Sequence, residues 1–410
     1  MSPHLKVLLD QVFPSLDGRV HVGADCPDDY EVVESYAVVP SLQRPRFVLP
    51  LSSRRAARQV LVSYNALRPM RVRLERRALA TGLSVLAPRR VGTVINVCVR
   101  RGSQHHLEDL LISAHLASVL GSPVVGLAFG VRAPGPNSKP TLLCVRPSGE
   151  LTGFAKVGWN PVTRHLVATE AHALRQIKAS ALSLSVPALL AETSWCDRAL
   201  TVTAPLPADV EHWPDDREAP NITETLAVST IGPTSRQPLD SSRQVTALRS
   251  RTNDTWDPEV RQAFDALIDA MCTAVGNAVV DFGSWHGDWS PWNVATSGGR
   301  LVVWDWEHFN DHIAVGLDLV NWHFRVALNL DGLPVGAALG RARERSAASL
   351  VSLATSAELD EICTSLLALE LTARYEEMAA AGAGRSEPFH VGLVAAMRTL
   401  EGRWRGHSRS

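Results

Sequence analysis

The stretch from His286 to Glu307 constrains this chain more tightly than any other part of it. It reads His286-Gly-Asp288-Trp-Ser-Pro-Trp-Asn293, then Leu301-Val-Val-Trp304, then Asp305-Trp-Glu307. Asp288 and Asn293 fall on one short loop. Leu301–Trp304 reads as a strand that delivers Asp305 beside that loop. Ser297-Gly298-Gly299 supplies the tight turn between them, because glycine reaches positive φ at little steric cost. The expected product is a hairpin that brings two carboxylates and an amide together.

Those side chains suit phosphoryl transfer. Transfer from ATP needs a carboxylate near the accepting hydroxyl and oxygen ligands for Mg²⁺ on the phosphates. Asp288 is the candidate base, and Asn293 and Asp305 are the candidate metal ligands. Mg²⁺ prefers hard oxygen donors and keeps several waters, so one carboxylate, one amide oxygen and the nucleotide suffice. Glu307 either completes that metal shell or forms a nearby salt bridge.

The rest of the chain sets outer bounds. At 410 residues it has room for two or three packed subdomains. Its formal net charge of −1 does not commit the molecule to nucleic acid or to a membrane surface. The six cysteines are scattered without a C-x-x-C pair, which fits reduced thiols better than a disulfide framework or zinc site. With no signal-peptide pattern and no long apolar run, a cytoplasmic protein is expected.

Short strands limited by prolines are expected at Tyr36–Pro40 and Arg46–Pro50, and helices at Ser53–Asn65 and His106–Leu120. From 124 the pattern becomes a meander of three antiparallel strands, at Val124–Gly130, Thr141–Val145 and Gly153–Val157. A helix at Thr163–Ala179, capped by Thr163, and strands at Val186–Leu190 and Ala199–Ala204 follow. Residues 205–255, rich in Pro, Ser, Thr and Asp, read as an irregular insertion or lid. Asp257–Val280 reads as a helix started by Asp257-Pro258, with the His286 loop directly after it. Beyond 315 the spacing is that of a helical bundle.

Lys156 lies on the third strand of the meander, with Glu170 fourteen residues on, in the following helix. A strand lysine held by a helix carboxylate can meet the α- and β-phosphates of ATP. With that pair upstream, the 286–307 run resembles the aminoglycoside phosphotransferase and choline kinase group within the protein-kinase-like fold. Gly316-Leu-Asp318-Leu-Val-Asn321 resembles that group's aspartate, which braces the catalytic loop. The resemblance spans about 122–330. It implies Asp288 as base, Asn293 and Asp305 as magnesium ligands, Lys156 paired with Glu170, and His286 as a buried histidine bonded to the loop backbone. The group's phosphate-covering loop corresponds to Gly130–Lys139, where Ser138 is the candidate contact; no G-x-G-x-x-G is present.

The expected fold is therefore α+β and bilobal. It has a small antiparallel-sheet N-lobe (122–207), a mostly helical C-lobe (208–410) and an arginine-rich N-terminal extension (1–121). The expected activity is ATP- and Mg²⁺-dependent transfer of the γ-phosphate to a hydroxyl of a sugar, amino sugar, aminoglycoside or amino alcohol. Acidic residues in Asp209–Glu218 are a candidate lining for a cationic acceptor.

Two features admit another reading. Fourteen arginines face a single acid, Glu75, between Arg44 and Arg101. Such a block can bind an anionic partner, as in a non-catalytic kinase-like scaffold, or can form a solvated face. It lacks the interleaved aromatics of single-strand binding. Six of the eleven tryptophans fall between Trp285 and Trp322. They form either an aromatic wall for a cationic or sugar ligand, with Trp289 and Trp292 best placed, or packing between loop and helices.

Overall fold

The computed structural model describes residues 1–63, 67–68, 70–85, 92–103, 106–123, 126–133, 135, 137–179, 184–353, 358–382 and 387–407. The chain divides into two compact units. One comprises Met1–Ala171 and Pro187–His212, the other His172–Val186 and Trp213–Ser410.

The first unit is built on nine strands. They are β1 Val20–Gly23, β2 Tyr30–Val39, β3 Phe47–Pro50, β4 Thr93–Arg100, β5 Leu127–Gly130, β6 Thr141–Val145, β7 Leu151–Gly158, β8 Leu189–Trp195 and β9 Arg198–Thr203. Their order is β1-β4-β2-β3-β5-β6-β7-β9-β8, antiparallel at every step. A short β10 at Glu211–His212 follows. The expected meander is β5-β6-β7, although Val124 and Val125 lie outside the described residues. The sheet does not stop at the expected 121/122 boundary. β3 pairs with β5 through Phe47↔Gly130 and Val48↔Phe129, so the strands of the N-terminal region continue the same sheet.

Alternation along β2 divides the core of this unit, because successive strand side chains point to opposite faces. Tyr36 and Val38 pack with Leu5, Leu9 and Val12 of α1 (Pro3–Val12) and with Ile112 and Leu116. Ala37 and Val39 pack on the other face, against Ala56, Ala57, Val60 and Leu61. Those four lie on α2 (Arg54–Val62), which Ser53 caps by accepting the Ala56 N–H at 3.2 Å. Part of the arginine block is structural. Arg76 on α3 (Met70–Val85) is buried, donates to the Val60 carbonyl at 3.1 Å and covers the Phe47 ring, while Arg46 pairs with Glu75.

Several helix boundaries differ from expectation, among them the Asp257–Val280 helix, which ends at Val275. The 106–120 helix is broken into α4 Leu107–Leu110 and α5 Ile112–Val119, with Leu111 extended between them. Leu110, Leu111 and Ile112 are all buried, and a continuous helix cannot turn three successive side chains to one face. α6 (Pro161–Ala179) is capped by Asn160, whose Oδ1 accepts the Thr163 N–H at 2.7 Å, and not by Thr163.

The second unit is mostly helical, and residues 205–255 are not irregular throughout. They contain α7 Ile222–Ser229, β11 Ser235–Pro238 and α8 Arg243–Arg251. The polar residues that suggested irregularity are caps: Asn221 accepts the Thr223 N–H, and Ser242 the Val245 N–H. Asp257 caps α9 (Pro258–Val275), and β12 (Val279–Trp285) then intervenes before His286. The hairpin β13 (Val294–Ser297) and β14 (Arg300–Val303) turns through Gly298 and Gly299, both at positive φ. β15 (Asn310–Ala314) pairs with β12. The expected bundle is α10 Leu317–Asn329, α11 Val335–Val351, α12 Leu359–Ala380 and α13 Glu387–His407. α12 is its axis: Ile362, Cys363, Leu366, Leu367 and Leu369 are fully enclosed. No described helix is long and apolar enough to cross a membrane. All six cysteines are unbridged.

Candidate active site

β12 is buried from Phe282 onward and hands the chain to His286 at its end. Gly287 then turns at φ +78°, and a Cβ there would lie 2.3 Å from the His308 carbonyl oxygen. Only glycine meets both demands. Asp318, in the first turn of α10, holds this turn from below. Its carboxylate accepts the His286 N–H at 2.7 Å and the Gly287 N–H at 3.0 Å. Burial pushes the Asp318 carboxyl up to about 6, against the pull of those two bonds.

His286 is fully enclosed. Its Nδ1 accepts the Asp288 N–H at 3.2 Å, and Nε2 lies 3.0 Å from the Trp304 carbonyl oxygen. Nε2 is therefore the protonated nitrogen, and the imidazole staples the loop to the end of β14. The ring meets Trp306 and Trp289 edge-on at 4.6 and 5.7 Å.

Asp288 projects from this braced loop with about one-fifth of its side chain exposed. Asn293 Nδ2 donates to its Oδ2 at 2.8 Å and to its carbonyl at 3.0 Å. Arg325 Nη2 lies 3.1 Å from Oδ1. Burial raises the Asp288 carboxyl above the ordinary carboxylate range, with Arg325 the largest opposing influence and Asp305 pushing further upward.

The hairpin brings the metal candidates to the same place. The Trp304 N–H donates to the Asn293 carbonyl at 3.2 Å, so Asn293 and Asp305 leave adjacent points of one ladder. Ser185 supports β14 from its other edge, bonding Leu301 and Val303. Asp305 sits at φ +69°, a region a non-glycine residue occupies only when its surroundings hold it there. Asn293 is nearly enclosed and uses its amide nitrogen on Asp288, which leaves Oδ1 as its acceptor. An amide oxygen beside a carboxylate is a hard donor set of the kind Mg²⁺ takes. Glu307, two residues on, has Oε1 at 3.7 Å from His308 Nε2. Among the described residues no three His, Cys, Asp or Glu side chains cluster as a metal cage.

In the first unit, Lys156 on β7 and Glu170 on α6 meet as expected, with Nζ 2.7 Å from Oε1 and 2.6 Å from Oε2. The Glu170 side chain is only 4% exposed and that of Lys156 16%, so the pair is fixed. Thr141 pairs with Lys156 in the sheet, which sets residues 137–140 close to the lysine. Ser138 lies on that stretch, its carbonyl accepting the Trp159 indole N–H at 2.9 Å.

Most of the tryptophan cluster is packing. Trp289, Trp306 and Trp322 are fully enclosed and Trp285 nearly so, whereas Trp292 is 42% exposed. Two residues escaped the sequence reading. Arg325 sits two helical turns after Asp318, on the same face of α10, a spacing that offered a signal. Arg374 on α12 donates to the Gly287 carbonyl at 2.7 Å and stacks over the Trp285 ring at 4.7 Å. Burial lowers it to about 10, so it stays protonated at neutral pH. Nothing local in the sequence marks it.

No protein-family model matches the sequence, and no curated protein does. Among solved structures, the chain is similar to an amicoumacin kinase in complex with AMP-PNP and Ca²⁺, at 14% identity and a TM-score of 0.40 over 68% of this chain and 88% of that one. It is similar to a putative fructosamine-3-kinase from Haemophilus somnus, at 12% identity and 0.38 over 72% and 96%. It is also similar to the apo form of a thermostable mutant aminoglycoside phosphotransferase, at 14% identity and a TM-score of 0.45, over 72% of this chain and 99% of that one.

Proposed function

We propose that this chain is a phosphotransferase that moves the γ-phosphate of ATP to the hydroxyl of a small molecule, with Asp288 as the base. One observation carries the reading: the loop bearing Asp288 and Asn293 is pinned from three sides, with Asp305 next to the Trp304 that bonds Asn293. Asp318 braces its backbone, His286 staples it to β14, and Asn293 bonds Asp288 directly.

In the proposed reaction the acceptor oxygen attacks the γ-phosphorus and its proton passes to Asp288. The bond from that phosphorus to the β,γ-bridging oxygen breaks, and ADP leaves. Burial of Asp288 favours this role, because it raises the carboxyl and makes it a better proton acceptor than an exposed aspartate. Asn293 holds Oδ2 in a fixed orientation. Asn293 Oδ1 and Asp305, with Glu307 as a further candidate, would hold Mg²⁺, which would neutralise charge on the phosphates. Lys156, positioned by Glu170, is assigned to the nucleotide phosphates, and Ser138 to the loop that covers them.

Asp288→Asn tests the assignment. The amide keeps the size of the side chain but cannot take the proton, and losing a general base typically costs 10²–10⁴-fold in rate. Turnover of ATP with a responsive acceptor should fall by about that factor while ATP still stabilises the variant against heat. Wild-type turnover in the variant would remove Asp288 from the chemistry.

A further inference from the structure

We infer that the acceptor is an anionic small molecule, a hydroxy acid or a phosphorylated alcohol, whose negative group is bound by Arg325. The inference rests on the phosphotransferase reading and adds the charge of the acceptor to it.

The guanidinium stands beside the atom that would receive the acceptor's proton. Arg325 Nη2 is 3.1 Å from Asp288 Oδ1, and the arginine side chain is 22% exposed, so a ligand that reaches Asp288 also reaches Arg325. A guanidinium offers five N–H donors in a planar fork that matches carboxylate or phosphate. Its Nε is closed off from solvent, so a ligand meets the guanidinium at its Nη groups.

Arg374 adds a second guanidinium behind the loop. It donates to the Gly287 carbonyl and covers the Trp285 ring, and the Glu370 and Asp288 carboxylates act on its charge. Of the second unit's share of the expected acidic lining, Glu218 faces Arg345 at 3.9 Å, Asp215 accepts the Arg217 N–H, and Asp216 is half-buried. An ammonium-bearing acceptor next to Asp288 would meet Arg325 as a like charge, whereas an anionic one would share it.

The test is thermal unfolding at constant ionic strength with matched polyols in the presence of Mg²⁺ and ADP. Glycerate, glycerol 3-phosphate, gluconate and glucose 6-phosphate are set against glycerol, glucose and glucosamine. Wild type should be stabilised by members of the anionic set and not by the neutral or cationic ones, and the carboxylate and phosphate arms separate the two anion types. Arg325→Gln should weaken the responding anion about ten- to hundredfold, and Arg325→Lys, which keeps the charge without the fork, should fall between. Stabilisation by glucosamine or glucose that survives Arg325→Gln would overturn the inference. So would the absence of any Arg325-dependent response to the anions. AMP-PNP is run beside ADP in every variant. If Arg325→Gln loses only the AMP-PNP response, the arginine serves the γ-phosphate and not the acceptor. If wild type responds to neither nucleotide, the phosphotransferase reading fails on its own, whatever the anions do.

Discussion

A single carboxylate, Asp318, carries much of the loop's order, and it carries it at a cost. It is 4% exposed and accepts two backbone N–H groups, yet burial leaves its carboxyl at about 6, against 3.8 for an ordinary aspartate. The folded state therefore binds more protons than the unfolded state between about pH 4 and 6, and stability must fall as pH rises through that window. The penalty at neutral pH is of order 2–3 kcal/mol from this group. Asp318→Asn should remove that slope, so the difference in melting temperature between variant and wild type should change across pH 4–6 and flatten above it. A difference independent of pH would show that Asp318 is not raised. The loss of one acceptor should also loosen Gly287, which has no steric room to adjust.

At the level of elements, what could be read in advance was what is local. The hairpin was legible because two glycines and an apolar run determine it within ten residues, and Asp257-Pro258 marked a helix start because capping acts through neighbours. α7 and α8 were missed for the complementary reason. Asn221 and Ser242 look like loop formers until the helix they cap is known. Arg374 was invisible because its partner, the Gly287 carbonyl, is 87 residues away. α8 shows how such distant contacts fix an element. Arg251 at its end is 2.7 Å from Glu370 and holds Glu377 through Nε and Nη2 at 2.7 and 3.0 Å, all across to α12. The Glu370 side chain is only 6% exposed, and Gln244 also donates to it at 3.4 Å. Removing the arginine strands a buried carboxylate, which typically costs about 3 kcal/mol or more. Arg251→Ala should lower the melting temperature accordingly, and adding Glu370→Gln should recover a measurable part of the loss. Strict additivity of the two changes would mean that the pair is uncoupled.

For the whole molecule, the decisive feature is the nine-stranded sheet. The N-terminal 121 residues read as an addition to a smaller fold, since the resemblance began near 122 and the arginine block suggested a separate task. The sheet joins them instead. β3 pairs with β5, the Val131 N–H donates to the Arg46 carbonyl at 2.9 Å, and Leu5, Leu9 and Val12 share one core with Leu142, Ala155 and Leu200. This pairing links strands some eighty residues apart in sequence, and no local pattern announces it. Cutting at 121 would bare the edge of β5 and strip α1 and α2 from the two faces of the strands that remain. An exposed apolar edge strand invites aggregation, and an uncovered face forfeits the burial that orders it. The fragment 122–410 should accordingly be insoluble or lack a cooperative thermal transition for the Lys156-bearing sheet, and amide exchange should find β5 and β6 unprotected. A soluble fragment that melts cooperatively and protects those strands as the full chain does would make 1–121 an appended domain after all. The arginine block would then have to be explained by a partner and not by the fold.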